Sequence, residues 1–274
     1  MNSFAIKRIN PVKLAKLTRL NTIKKTLFIG KELYQFAELA STNAFAADLV
    51  SKNNPSEGTV ITTYNQVQGR GQGDSYWESA PDKNISMTVI LHPKFLAARD
   101  QFLLNQAISL GVLDFVKNYI HAGAKIKWSN DIYIFDKKVA GILIQNTLKS
   151  RNLATSIIGI GININQGKFV SDAPNPTSFK METNKDFELD ELLEVLCGKI
   201  EARYLQVKSN HFEKLKSDYL DNLYRYMEDA LYQLPGSDEV FQGRIIGIGE
   251  FGKLLLQTQK GVQEFDTKEV KFVL

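Results

Sequence analysis

The chain has one cysteine, Cys197, and three histidines (His92, His121 and His211) in 274 residues. A lone thiol cannot close an intrachain disulfide and fits a reducing compartment. Histidines so far apart, with no cysteine beside them, argue against a zinc site. No apolar run reaches the about 18 residues that a membrane-spanning helix requires, so no membrane partner is expected. No segment repeats at solenoid spacing. Acidic side chains are missing from residues 1–31, where Lys7, Arg8, Lys13, Lys16, Arg19, Lys24, Lys25 and Lys31 make eight basic ones. Removing those eight leaves 26 basic against 30 acidic residues, so the formal +4 belongs to this segment and the remainder is net −4.

Three readings compete for the basic segment. It is a helix packed on the body with Leu14, Leu17 and Leu20 along one face, an organelle-targeting segment, or a tail. It lacks the two-helix pattern of a helix-turn-helix, and no specific DNA binding is expected. The expected location is cytoplasmic, with organelle targeting as the alternative.

With 43% apolar and 23% charged residues, the rest is an ordinary globular composition. Strands are expected at Leu33–Leu39, Thr59–Tyr64 and Ile85–Leu91, with a helix opening after Ser41 over Ala44–Val50. A buried helix is expected over Asp100–Ile120. Short strands follow at Lys125–Trp128, Ile132–Phe135, Val139–Gln145 and Thr155–Ile164. Asn165–Asp186 reads as loop; helices are expected from Leu189 to Tyr204 and over Asn210–Tyr224. After the Pro235-Gly236 break come four short β segments. The fold class is α+β: residues 1–31 an extension, 32–234 a mixed sheet flanked by helices, and 235–274 a small β-barrel.

Three segments carry chemistry. Gln66–Trp77 holds Gly69, Gly71 and Gly73 around Arg70, which suits a loop whose backbone N–H groups approach an anion, with Arg70 adding a planar cation. Lys127-Trp128-Ser129-Asn130-Asp131 is followed by Lys138-Val139-Ala140-Gly141-Ile142-Leu143, which sets the Lys138 ammonium at the start of an apolar strand. In Gly159-Ile160-Gly161-Ile162-Asn163, alternating glycines clear one strand face for a flat ligand or a second backbone. Each has a plainer reading: a flexible hairpin, a solvated lysine, tight strand packing. Gly247–Gly252 fits the dinucleotide pattern G-x-G-x-x-G letter for letter, but a β-like run follows it where a helix is required, so it reads as a hairpin turn.

Taken in order, with Ser41-Thr42-Asn43 ahead of them, these segments resemble the biotin–protein ligase family from about Leu33 to the C-terminus. The resemblance implies a sheet related to class II aminoacyl-tRNA synthetases with a C-terminal SH3-like barrel. It implies that ATP activates biotin as an acyl-adenylate, which is passed to a lysine of a biotin carboxyl carrier domain. Ser41, Thr42, Asn43, Gln66, Gly69 and Arg70 would bind biotin, and Gly141, Gly159 and Gly161 would let its ring lie against backbone. Arg70, Gly71, Gln72, Trp77, Lys127, Asn130, Asp131, Lys138 and Asn163 would surround the nucleotide, with Trp77 closing the loop. Mg²⁺ would ride mainly on the phosphates, with Asp131 as a protein ligand. Lys138 and Arg70 would be catalytic, offsetting the repulsion between a carboxylate and a triphosphate. A sheet edge could serve a homodimer or the carrier.

Two positions depart from the family. Gln72 stands where many members carry a second arginine tied to holding the adenylate, so the intermediate is gripped less tightly or by other contacts. Ser129 replaces a proline, which relaxes that turn. Rival readings are a lipoate or octanoate ligase, which would show an arginine-rich Gly-Gly loop with a nearby histidine, and a non-catalytic biotin-binding regulator, which would need neither Lys138 nor Arg70.

Overall fold

The computed structural model describes residues 17–73, 75–171 and 174–274. Strands β1 (Leu17–Asn21), β2 (Leu33–Leu39), β3 (Thr59–Gln66), β4 (Ile85–Leu91), β5 (Ala124–Lys127), β6 (Asp131–Ile134), β7 (Lys137–Lys149) and β8 (Asn152–Ile162) form one sheet, in the order β1-β2-β3-β4-β8-β7-β6-β5. Only β2 and β3 run parallel; the other pairs are antiparallel, so the sheet is mixed. Among the described residues no helix is long and apolar enough to cross a membrane.

The helices divide over its two faces. Helix α1 (Thr42–Lys52) buries Phe45, Ala46 and Leu49 against Tyr34, Phe36, Ile61, Ile90 and Ile157. Its start is fixed by Ser41, whose Oγ accepts from the Ala44 N–H. On the other face lie α2 (Gln101–Lys117), α4 (Leu189–Lys208) and α5 (Phe212–Asp221), over a much larger core. Gly111 is needed where α2 crosses α4, because a Cβ there would sit 2.9 Å from the Ile200 Cα. The outer edge of β5 is covered: Ile126 exchanges backbone hydrogen bonds with Asn222 and Tyr224.

A second sheet, in the order β12-β11-β10-β9-β13, is built from β9 (Asp229–Gln233), β10 (Val240–Ile248), β11 (Leu254–Thr258), β12 (Gly261–Phe265) and β13 (Lys271–Phe272). It fits the expected SH3-like unit. It begins at Asp229, ahead of the Pro235 break, because β9 pairs with both β10 and β13. The G-x-G-x-x-G segment is the β10–β11 turn, as its surroundings required.

Three expectations are corrected. Leu17–Asn21 is a strand on β2 and not part of a basic helix, and Leu14 lies outside the described residues. Residues 22–31 are no free extension either, since Ile23, Thr26 and Ile29 are buried and buried Glu201 accepts from the Leu27, Phe28 and Ile29 N–H groups. The stretch read as loop from Asn165 to Asp186 contains a short helix, α3 (Phe179–Thr183), capped by Ser178.

Candidate active site

The site grows from one row across the sheet. Register places Lys127 opposite Asp131, Asp131 opposite Gly141, Gly141 opposite Gly161, and Gly161 opposite Ser86. Directly opposed residues share a face, so Gly141 and Gly161 open a gap in the face that carries α1. Two residues back along β8, on the same face, Gly159 lies opposite Thr88 and Leu143. What enters these gaps is specific. A Cβ at Gly161 would overlap the Trp77 indole, and one at Gly141 would lie 3.0 Å from the same ring; at Gly159 it would overlap the Asn43 carboxamide. The flat group lying on Gly141 and Gly161 here is therefore the Trp77 indole. Its Nε1 is buried with no hydrogen-bond partner, as is the Ser86 Oγ. Unpaired buried polar atoms of this kind are costly, and a ligand that hydrogen-bonds them recovers the loss.

A cavity of about 210 Å³ opens beside this row. Its buried end is polar and internally tied. Gln66 Oε1 accepts from the Thr42 N–H (2.9 Å), Thr88 Oγ1 donates to Asn43 Oδ1 (2.6 Å) and lies 2.8 Å from Thr42 Oγ1, and Asn43 Nδ2 reaches the Leu143 carbonyl at 3.5 Å. Met87, Ile142, Leu143 and Ile160 supply apolar wall. Thr88 escaped sequence reading, since a threonine inside an apolar strand carries no motif.

The open end is charged. Lys138 pairs with Asp131 at 2.8 Å and holds its ammonium 5.7 Å from the centre of the Trp77 ring. Its backbone is clamped by Asn175 and Thr177, which fixes where the side chain starts. Arg70 is exposed on the glycine loop, which closes on itself through Gly69–Trp77 and Gly71–Ser75 backbone bonds. Asn130 lines the cavity while its Nδ2 donates to the Ile142 carbonyl; the preceding Trp128–Ser129 peptide is cis. Trp128 leaves the site altogether, donating its indole N–H to the Gly252 carbonyl in the β10–β11 turn (2.9 Å).

Of the residues singled out in the sequence, Ser41, Thr42, Asn43, Gln66, Arg70, Gly71, Gln72, Trp77, Asn130, Asp131, Lys138, Gly141, Gly159 and Gly161 line this one cavity. Gly69 stands behind it, needed because a Cβ would overlap the Trp77 carbonyl. Two do not reach it. The Lys127 ammonium lies over the Tyr133 and Phe272 rings, 5.1 and 4.9 Å from their centres, and burial lowers its pKa. Asn163 donates to the Thr177 carbonyl and supports the segment that clamps Lys138. One lining residue arrives from far along the chain: Lys268, on the β12–β13 connection, reaches the Gln72 carbonyl.

The chain is similar to the bifunctional ligase/repressor BirA of Bacillus subtilis, 28% identical over 90% of this chain and 76% of that protein. It is 27% identical to the biotin–[acetyl-CoA-carboxylase] ligase of Paracoccus denitrificans, over 86% of this chain and 98% of that one. Among solved structures, biotin protein ligase from Aquifex aeolicus in complex with biotin and ATP superposes with a TM-score of 0.72 at 25% identity, covering 89% of this chain and all of that one. Residues 36–163, from within β2 to just past the end of β8, match the model of the biotin/lipoate A/B protein ligase family.

Proposed function

We propose that the protein is a biotin–protein ligase, which joins biotin to ATP as biotinyl-5'-adenylate and transfers the acyl group to a lysine of a biotin carboxyl carrier domain. One observation carries the reading. A single cavity has a polar, largely buried end, bounded by Asn43 over Gly159 and by Trp77 over Gly141 and Gly161, suited to a flat uncharged ring, and an open end with Arg70 and Lys138 for an anion.

A biotin carboxylate oxygen attacks the α-phosphorus of ATP, the bond to pyrophosphate breaks, and a mixed anhydride forms. Both reactants are anions, so the step is slow unless positive charge is already in place. Lys138 supplies it from the start of β7, held near the reacting groups by Asp131, and Arg70 adds a second, planar donor. The anhydride hydrolyses in water; the loop from Gln66 to Trp77, laid over Gly141 and Gly161, shields it. In the second step a neutral lysine amine of the carrier attacks the acyl carbonyl, and AMP leaves with the electrons of the broken C–O bond.

The donors around the cavity suit a Mg²⁺ ion that arrives on the triphosphate. Asp131 is the one carboxylate among the described lining residues, and no group of three or more His, Cys, Asp or Glu stands ready to hold a metal among the described residues. Bound there, the ion would neutralise phosphate charge.

The test is transfer of radiolabelled biotin to a purified carrier domain in the presence of ATP and Mg²⁺. Label on the carrier lysine is the expected result. A wild-type protein that labels nothing with biotin but accepts lipoate or octanoate would refute the substrate assignment and leave the adenylating chemistry standing.

A further inference from the structure

Position 72 raises a question of charge. A glutamine stands there, its side chain exposed, on the loop among the residues that line the cavity. The structure brings another cation to the same place. The Lys268 Nζ donates to the Gln72 carbonyl at 2.8 Å and lines the cavity, although it lies 196 residues further along the chain. Gly73, at φ +65°, makes the room: a Cβ there would stand 2.5 Å from the Lys268 Nζ.

The turn that presents Lys268 is built to aim it. Glu269 N–H donates to the Asp266 carbonyl, and Asp266 N–H donates to the Glu269 carboxylate, closing a four-residue turn between β12 and β13. Lys268 holds the third position of that turn at φ +73°, a left-handed conformation that favours glycine or asparagine. Conformations of this kind occur at active sites and ligand clamps as well as in plain turns, and here the residue that adopts one is also the residue whose side chain lines the cavity. With Arg70 and Lys138, Lys268 makes three cations against the single carboxylate of Asp131 among the described lining residues. One carbonyl uses one of its three N–H donors, leaving two for an anion.

We infer that Lys268 is a binding residue for the phosphate of the nucleotide, a cation lent by the C-terminal sheet to the place where the glycine loop offers Gln72. Its bond to the Gln72 carbonyl fixes the loop and the ammonium together. Retention of the acyl-adenylate then depends on the second sheet as well as on the first. The inference deepens the ligase reading and rests on it for the identity of the intermediate.

The experiment uses the full-length protein and four forms: wild type, Lys268→Gly, Lys268→Arg and Lys271→Met, the last removing a nearby exposed lysine on β13. Two quantities are read. Calorimetry gives the Kd for AMP, and gel filtration after incubation with labelled biotin and ATP, without carrier, gives the fraction of adenylate that stays on the protein. Lys268→Gly relieves the left-handed backbone, so its melting temperature should hold or rise. Its AMP affinity should nevertheless fall about tenfold, as expected for one charge-assisted contact, and its adenylate should leak. Lys268→Arg should recover most of both, and Lys271→Met should match wild type. Unchanged AMP affinity in Lys268→Gly, or equal losses in Lys268→Gly and Lys271→Met, overturns the inference. A wild type that forms no adenylate sinks the ligase reading instead, and the AMP measurement still decides the role of Lys268.

Discussion

The two ends of the cavity are made differently. At the inner end, polar groups sit at a helix N-terminus and on strands and are largely buried; Thr42, Asn43, Gln66 and Thr88 are bonded to one another, and Ser41 caps the helix beside them. At the phosphate end, the cations stand on a loop, a strand start and a distant turn, and are partly or fully exposed. A buried polar network is worth its cost only when satisfied, and it then fixes shape. An exposed cation binds any phosphate and selects little by itself. On the ligase reading proposed above, the contrast would give recognition of the ring to the first end and rate and retention to the second.

The sharpest way to break that division is Lys138→Ala. Adenylate formation should fall by about 100-fold or more, the cost of removing one preorganised charge donor, while biotin affinity measured by calorimetry changes little. Equal losses in rate and biotin affinity would mean that the ends are one unit. Next in size is Gly161→Val at the opposite end. Its side chain competes with the Trp77 indole for the floor of the cavity, so biotin affinity should drop about 10- to 100-fold. AMP binding should stay near wild type, and a comparable loss there would blur the comparison.

Thr88→Val tests whether the buried network matters beyond the residues that line the cavity. It removes the hydroxyl between Thr42 and Asn43 at nearly constant volume, and the expected cost is about 1–2 kcal/mol, read as weaker biotin binding and a lower melting temperature. Unaltered biotin binding would confine recognition to the lining side chains.

The smallest effect is expected at Lys127, which shares the row but not the cavity. Burial lowers its pKa, with Lys138 and Arg225 adding to the shift and Asp131 opposing it. The folded protein therefore gives up this proton at a lower pH than the unfolded chain, so the cost of the buried charge is fully present at neutral pH. It is relieved as pH rises through the lowered value toward the ordinary lysine range. Lys127→Met should raise the melting temperature slightly at pH 7, and the gain over wild type should shrink in alkaline buffer. A loss of activity larger than any change in stability would return Lys127 to the nucleotide site.

The strands and long helices were legible because their burial patterns are local. Leu33–Leu39 and Ile85–Leu91 fall within the residues expected, and Leu189–Lys208 continues the helix expected to Tyr204. The misreadings have physical causes. Leu17–Asn21 has leucines that satisfy a helical spacing as well as an edge strand on β2, and only the pairing partner decides between them. Strand β9 lies before the proline because its two neighbours, β10 and β13, come later in the chain. Most site residues were legible as motifs, whereas Thr88 and Lys268 belong to no motif.

By itself the sequence determined which chemical groups are available and which strand faces are cleared by glycine, since side-chain alternation along a strand is fixed by the backbone. Tertiary structure decided which groups meet. The register of β7 against β8 sets Gly141 on Gly161, the loop lays Trp77 across them, and the second sheet returns Lys268 to Gln72. Contacts of this kind depend on chain segments far apart in sequence, so neither composition nor local spacing contains them.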